Sequence, residues 1–162
     1  MKSIWTLTIG VAIAASLGAC GGAVPGTLQA ANEELGVAEL MSIENAGSGK
    51  WFQFGQAANP TLPWPAFDVK SFTATINYDT PAARVQMERI QVVEPNRQRP
   101  APVTQCPVQV VSGTNAWNLT PAPCTAGAPP AGQPQPAAVE ERTMEIWTTP
   151  HGLLKAAGAN NG

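Results

Sequence analysis

Few side chains in this 162-residue sequence are equipped for catalysis, and they do not converge on a reaction. His151 is the single histidine. A zinc hydrolase needs several His and carboxylate ligands on one metal, so no such centre can be assembled from this chain. A Ser-His-Asp triad would have to use His151. No Gly-x-Ser-x-Gly elbow is present, however, and His151 follows Pro150 at the start of a predicted helix. A solvated first-turn histidine, or one that caps a neighbour, is the plainer assignment. Glu140 and Glu141 are adjacent, and adjacent helical residues do not face each other. Their charges suit a helix N-terminus instead. No glycine-rich loop is placed to cradle a phosphate. The sequence therefore predicts no catalytic residue and no metal site.

The three cysteines have separate prospects. Residues 1–20, MKSIWTLTIGVAIAASLGAC, read as a bacterial export signal, with Lys2 as the positive region and Ile4 to Leu17 as the apolar region. That apolar run is short for a membrane span. Leu17-Gly18-Ala19-Cys20 has the form of a lipobox, in which Cys20 becomes the lipidated N-terminus of the mature protein. Ordinary secretion with a chance cysteine is the alternative. Gly21, in place of an aspartate, favours the outer membrane over the inner, with a periplasmic location otherwise. Cys106 and Cys124 lie in proline-rich sequence. In an oxidising compartment they can pair, or they are two unrelated thiols.

Composition agrees with export. Charged residues make up 12%, about half the usual share, beside 16 prolines and 15 glycines. The net charge of −2 and scattered Lys and Arg give no basic stripe, so nucleic acid is not an expected partner. The aromatic residues gather in Lys50–Tyr78, where Lys50–Gln56 and Val69–Tyr78 alternate as strands. The segment between them, with three prolines in NPTLPWPAF, cannot be helical. Trp51, Phe52, Phe54, Trp64, Phe67, Phe72 and Tyr78 could line an apolar groove for a lipid or similar ligand. An ordinary core is the commoner use of such residues.

The elements around this hairpin follow from punctuation and period. Residues 1–19 form the leader and 20–26 a tether, and 27–162 form a single domain. Thr27 caps a short helix that Gly36 stops, with Leu28, Ala31 and Leu35 on the face expected to meet a sheet. A strand begins near Leu40, and NAGSG (residues 45–49) forms a turn into the aromatic strand. Arg84–Val93 alternates, with its apolar residues changing face near Ile90, as at a bulge. Residues 94–107 loop out. A short strand at Val108 leads to a turn at Gly113 and Asn115. Residues 121–136, PAPCTAGAPPAGQPQP, read as a disordered surface loop. Ala137–Trp147 is a helix with Val139, Thr143, Met144 and Trp147 on one face and Arg142 off it. Thr149 and Pro150 start another helix. The fold class is α+β: a curved antiparallel meander with helices packed on one face.

Three stretches carry a resemblance: WFQFGQAANPTLPWPAFDVKSFTATINYDT, QVVSGTNAWN and AAVEERTMEIWTTPHGLLKAA. They resemble the N-terminal, non-catalytic region of bacterial exported hydrolases of the metallo-β-lactamase fold. The resemblance covers most of the chain from Thr27 onward. It implies that the chain stops before the zinc-binding domain, because that family's His-x-His-x-Asp-His motif is absent. It further implies a role in tethering or positioning the catalytic domain, with zinc only in that missing domain. The helix–meander–helix order is also similar to the half-barrel of periplasmic lipoprotein carriers, here incomplete. That likeness supports an alternative function, a stand-alone envelope lipoprotein that binds lipid or another apolar ligand.

Overall fold

The computed structural model describes residues 26–57, 59–93, 101–120, 122, 124, 127 and 129–160. Helix α1 (Leu28–Glu34) precedes six strands: β1 (Ser42–Phe52), β2 (Ala66–Asn77), β3 (Ala82–Gln91), β4 (Val108–Ser112), β5 (Asn115–Thr120) and β6 (Ala131–Pro134). A 3-10 turn (Pro136–Ala138) then leads into α2 (Val139–Trp147) and α3 (Pro150–Ala159). The strands form one curved antiparallel sheet in the order β1-β2-β3-β4-β5-β6, and it is not closed. This is the expected α+β meander. Among the described residues no helix is long and apolar enough to cross a membrane.

One bulge determines which residues share a face. Between Val69 and Ser71 the β2–β3 register slips by one residue, and the same extra residue appears against Gly47 and Gly49 of β1. Strict alternation would put Phe67 and Val69 on the face opposite Phe72, Ala74 and Ile76. The extra residue in β2 returns all of them to one side. The sequence suggested a face change near Ile90 of β3. It lies instead on the neighbouring strand, across from Glu88 and Arg89.

Several expected boundaries need correction. NAGSG is not a turn: residues 45–49 run within β1, paired to β2 from Asn45↔Ala74 to Gly49↔Val69. Partner hydrogen bonds here outweigh the weak strand preference of Gly, Ser and Asn. The aromatic strand ends at Phe52. Residues 105–107 do not loop out but return along β3, where Arg89 and Gln105 exchange both backbone hydrogen bonds (2.9 and 2.8 Å). Low-complexity residues 131–134 form β6, paired to β5 from Thr120↔Ala131 to Trp117↔Pro134. An exposed backbone edge recruits a strand through main-chain groups, so apolar side chains are not required. The other described residues of the two proline-rich segments lie outside strands and helices, apart from the 3-10 turn.

The helices follow their caps. The Thr27 hydroxyl accepts from the Ala30 amide at 3.1 Å, and Gly36 takes φ +60° just past the end of α1. Helix α1 packs against α3, and Leu35 stays 44% exposed. Helix α2 crosses β3, β4 and β5 on one face of the sheet, called the inner face below. Its apolar stripe differs from the expected one. Met144 is 59% exposed, whereas Ile146 and Arg142 are buried. Ile76, Tyr78, Val111 and Ala116 form the core with Ile146 of α2. Each large apolar side chain buried there contributes roughly 1.5–3 kcal/mol.

On the opposite, outer face, Lys50 pairs with Asp68 (2.7 Å) and Lys70 with Glu88 (3.1 Å). Such exposed pairs stabilise little. Cys106 and Cys124 are disulfide-bonded, with Cα atoms 5.6 Å apart. Cys20 lies outside the described residues.

Candidate functional site

Helix α2 covers only part of the inner face. Beside it a cavity of about 300 Å³ opens over Trp51, Phe72, Val85, Met87 and Val111, with Ile146 as its α2 wall. A second space of about 310 Å³ runs along β1 and shares Trp51, Phe72 and Met87 with the first. The two adjoining spaces, from the α2 wall to β1, are called the trough below.

The trough is not the groove that the aromatic spacing suggested. Trp51 and Phe72 line it. Phe67 is buried and meets Trp51 edge-on, with centroids 5.3 Å apart. Tyr78 belongs to the core. Phe52 projects from β1 one position after Trp51, hence on the outer face, and is 43% exposed. Phe54 and Trp64 meet edge to face (centroids 4.4 Å apart) at the exposed proline-rich connection. The aromatic density was therefore informative for two of seven residues. The remaining apolar lining is aliphatic and drawn from β2, β3 and β4, where single-strand alternation gives no sign of a cleft.

Two glycines shape the β1 side. Gly47 lies across from Phe72 and Gly49 across from Val69, so both share the inner face with Trp51. A Cβ added at either would meet no atom within 4 Å.

Four polar residues enter the wall: Gln109, Arg142, Glu145 and Thr149. Arg142 is 8% exposed. Its Nη1 donates to the carbonyl oxygens of Val110 and Trp117, both at 3.0 Å, and Nη2 donates to Asn118 Oδ1 at 2.7 Å. These bonds fasten α2 to β4 and β5. Among the described residues no carboxylate lies within ion-pairing distance of Arg142. Counting back from Ile146 by 4 and by 7 reaches Arg142 and Val139, so the helical period places an arginine on the core stripe. That was the available signal, and the charge of the residue obscured it. Glu145 has its carboxyl pushed up, first by burial and second by Glu141, with Arg142 opposing.

A second arginine stands at the far end of β3. The Arg89 guanidinium lies 4.1 Å over the Trp51 ring and 4.7 Å from the Phe67 ring, and its Nε donates to Gln105 Oε1 at 3.0 Å. It holds the indole in place by cation–π attraction, and burial lowers its pKa. His151 sits half-buried in the first turn of α3. Among the described residues no group of three His, Cys, Asp or Glu side chains is placed to hold a metal ion.

An apolar trough with a few fixed polar groups is the form of a ligand site. Its hydroxyl, Thr149, is engaged by Tyr78, Ile146 and Gly152. Comparison with protein-family models, with curated proteins and with solved structures finds no match.

Proposed function

We propose that this chain is a non-catalytic, exported binding domain, anchored to the bacterial membrane through a lipidated Cys20, whose trough takes up an apolar ligand. The observation that carries the reading is the pair of adjoining spaces between α2 and the β1 edge, which share Trp51, Phe72 and Met87 as lining. A space of this size lies at the lower end of small-molecule pockets, roughly 300–1,000 Å³. The expected result is saturable binding of dodecanol, followed by tryptophan fluorescence, with no stoichiometric zinc and no β-lactamase or esterase activity. Absence of saturable binding sinks the ligand reading, and tight 1:1 zinc binding sinks the non-catalytic one.

A second reading rests on the sequence resemblance. It places this domain before a zinc-binding catalytic domain of the metallo-β-lactamase fold, which it tethers or positions. The two readings are compatible, since an accessory domain can also hold a ligand. An open reading frame beyond Gly162 that encodes a His-x-His-x-Asp-His motif supports the second, and a stop codon there contradicts it. The anchor is tested by fatty-acid labelling of cells, where Cys20→Ser should abolish the label. A label that persists ends the lipobox assignment.

A further inference from the structure

We infer that the ligand of the trough is a single-chain amphiphile with an anionic head, a long-chain carboxylate, lying with its head against Arg142 and its tail past Gly47 and Gly49 to the β1 edge. The inference rests on the ligand-binding reading above and adds the ligand's shape and charge.

The shape comes from the glycines. The two spaces share Trp51, Phe72 and Met87, so they lie side by side along the inner face. Glycine inside a strand is destabilising by roughly 0.5–1 kcal/mol relative to alanine. Neither Gly47 nor Gly49 has a positive φ that would require glycine, and no neighbour crowds the place of a Cβ. Packing therefore does not require glycine at either position, and the one backbone feature there is the register shift that falls between them. What the two missing side chains would fill is the trough itself, over Phe72 and Val69. Two adjoining apolar spaces set along one sheet face suit one extended chain.

The charge comes from Arg142. A guanidinium has five N–H donors, and three are used here on neutral oxygens: two carbonyls and one side-chain amide. These bonds fix its position but supply no counter-charge. A buried cation without a counter-charge is costly, and a carboxylate is the geometric complement of arginine. Glu145, in the same wall, does not fill that role. Arg142 attracts its carboxylate, but the pair stays outside ion-pairing distance, and burial and Glu141 together outweigh that attraction.

The test titrates the full chain with laurate, dodecanol, dodecyltrimethylammonium and hexanoate, all below micelle formation, by calorimetry. Laurate should bind roughly tenfold or more tightly than dodecanol, with the cation weakest and hexanoate roughly tenfold or more below laurate. Gly47→Leu should weaken laurate by a similar factor with an unchanged circular dichroism spectrum. Equal affinity for laurate and dodecanol overturns the anionic head while leaving the binding reading intact. Unchanged laurate binding by a folded Gly47→Leu variant overturns the tail path. If none of the four binds, the ligand-binding reading falls as well. The head-group series uses the unaltered chain, so it stands even if the variant does not fold.

Discussion

Tyr78 and Thr149, 71 residues apart, meet through their hydroxyl groups at 2.8 Å. Thr149 gives its own proton to the Ile146 carbonyl (2.8 Å) and accepts from the Gly152 amide (3.2 Å). Tyr78 is therefore the donor. The contact ties the end of β2 to the corner between α2 and α3, and so fixes the helix that walls the trough. Tyr78→Phe removes one donor while leaving the ring, which lies 6.2 Å from Trp147, in place. The expected loss is about 1 kcal/mol, the net contribution of one hydrogen bond. Urea unfolding checks it: a lower midpoint with an unchanged slope is predicted.

Gly152 closes the same corner. A Cβ there would overlap the Ile146 carbonyl oxygen and stand 2.8 Å from Thr149 Oγ1. It would also crowd the Trp147 Cα at 3.0 Å, and the Ile146 and Trp147 atoms are backbone of α2, so little can yield. Gly152→Ala should destabilise by roughly 1–3 kcal/mol, the usual range for overpacking. Gly158→Ala in the same helix meets open space and serves as the control. It should be neutral or slightly stabilising, since alanine is the better helix former. Thermal unfolding of the two variants side by side gives the comparison.

Glu145 should impose a pH dependence. Its folded pKa is raised, chiefly by burial. The native state therefore binds the proton more tightly than the unfolded chain does. Its favourable contribution is complete below the ordinary carboxylate range and is lost as pH rises through the raised value. Glu145→Gln removes that loss. Relative to the unaltered protein, the variant should gain stability as pH rises from the acid range to neutrality. A difference between the two that is constant across pH would contradict the assignment. The side chain is partly open to solvent, so the effect should be small.

Legibility in the sequence followed the range of the interaction. The Thr27 and Thr149 caps and the helices they start are local chemistry, and they stand where the sequence put them. The β2–β3 hairpin also followed from its alternation. Features that depend on a partner did not. NAGSG has the composition of a turn, yet β2 holds it as strand. Residues 131–134 have almost no strand character, and the edge of β5 recruits them. The bulge was visible as a face change but fell on β2, because either of two paired strands can absorb the extra residue. Arg142 was placed off the core stripe for its charge, and only the carbonyls of Val110 and Trp117 make its burial tolerable. Of the trough, only Trp51 and Phe72 were among the expected lining residues, since the rest of it is bounded by aliphatic residues from different strands and by Gly47 and Gly49.

The central claim is that the inner face beside α2 holds a ligand, and the methionines report on it directly. Met87 lines the trough, while Met41 and Met144 are 64% and 59% exposed. The decisive measurement is an NMR titration of the full chain, labelled with ¹³C at the methionine methyl groups, against laurate and dodecanol. The Met87 signal should shift saturably, with Met41 and Met144 unmoved. A stationary Met87 signal, or an equal drift of all three, would contradict the account.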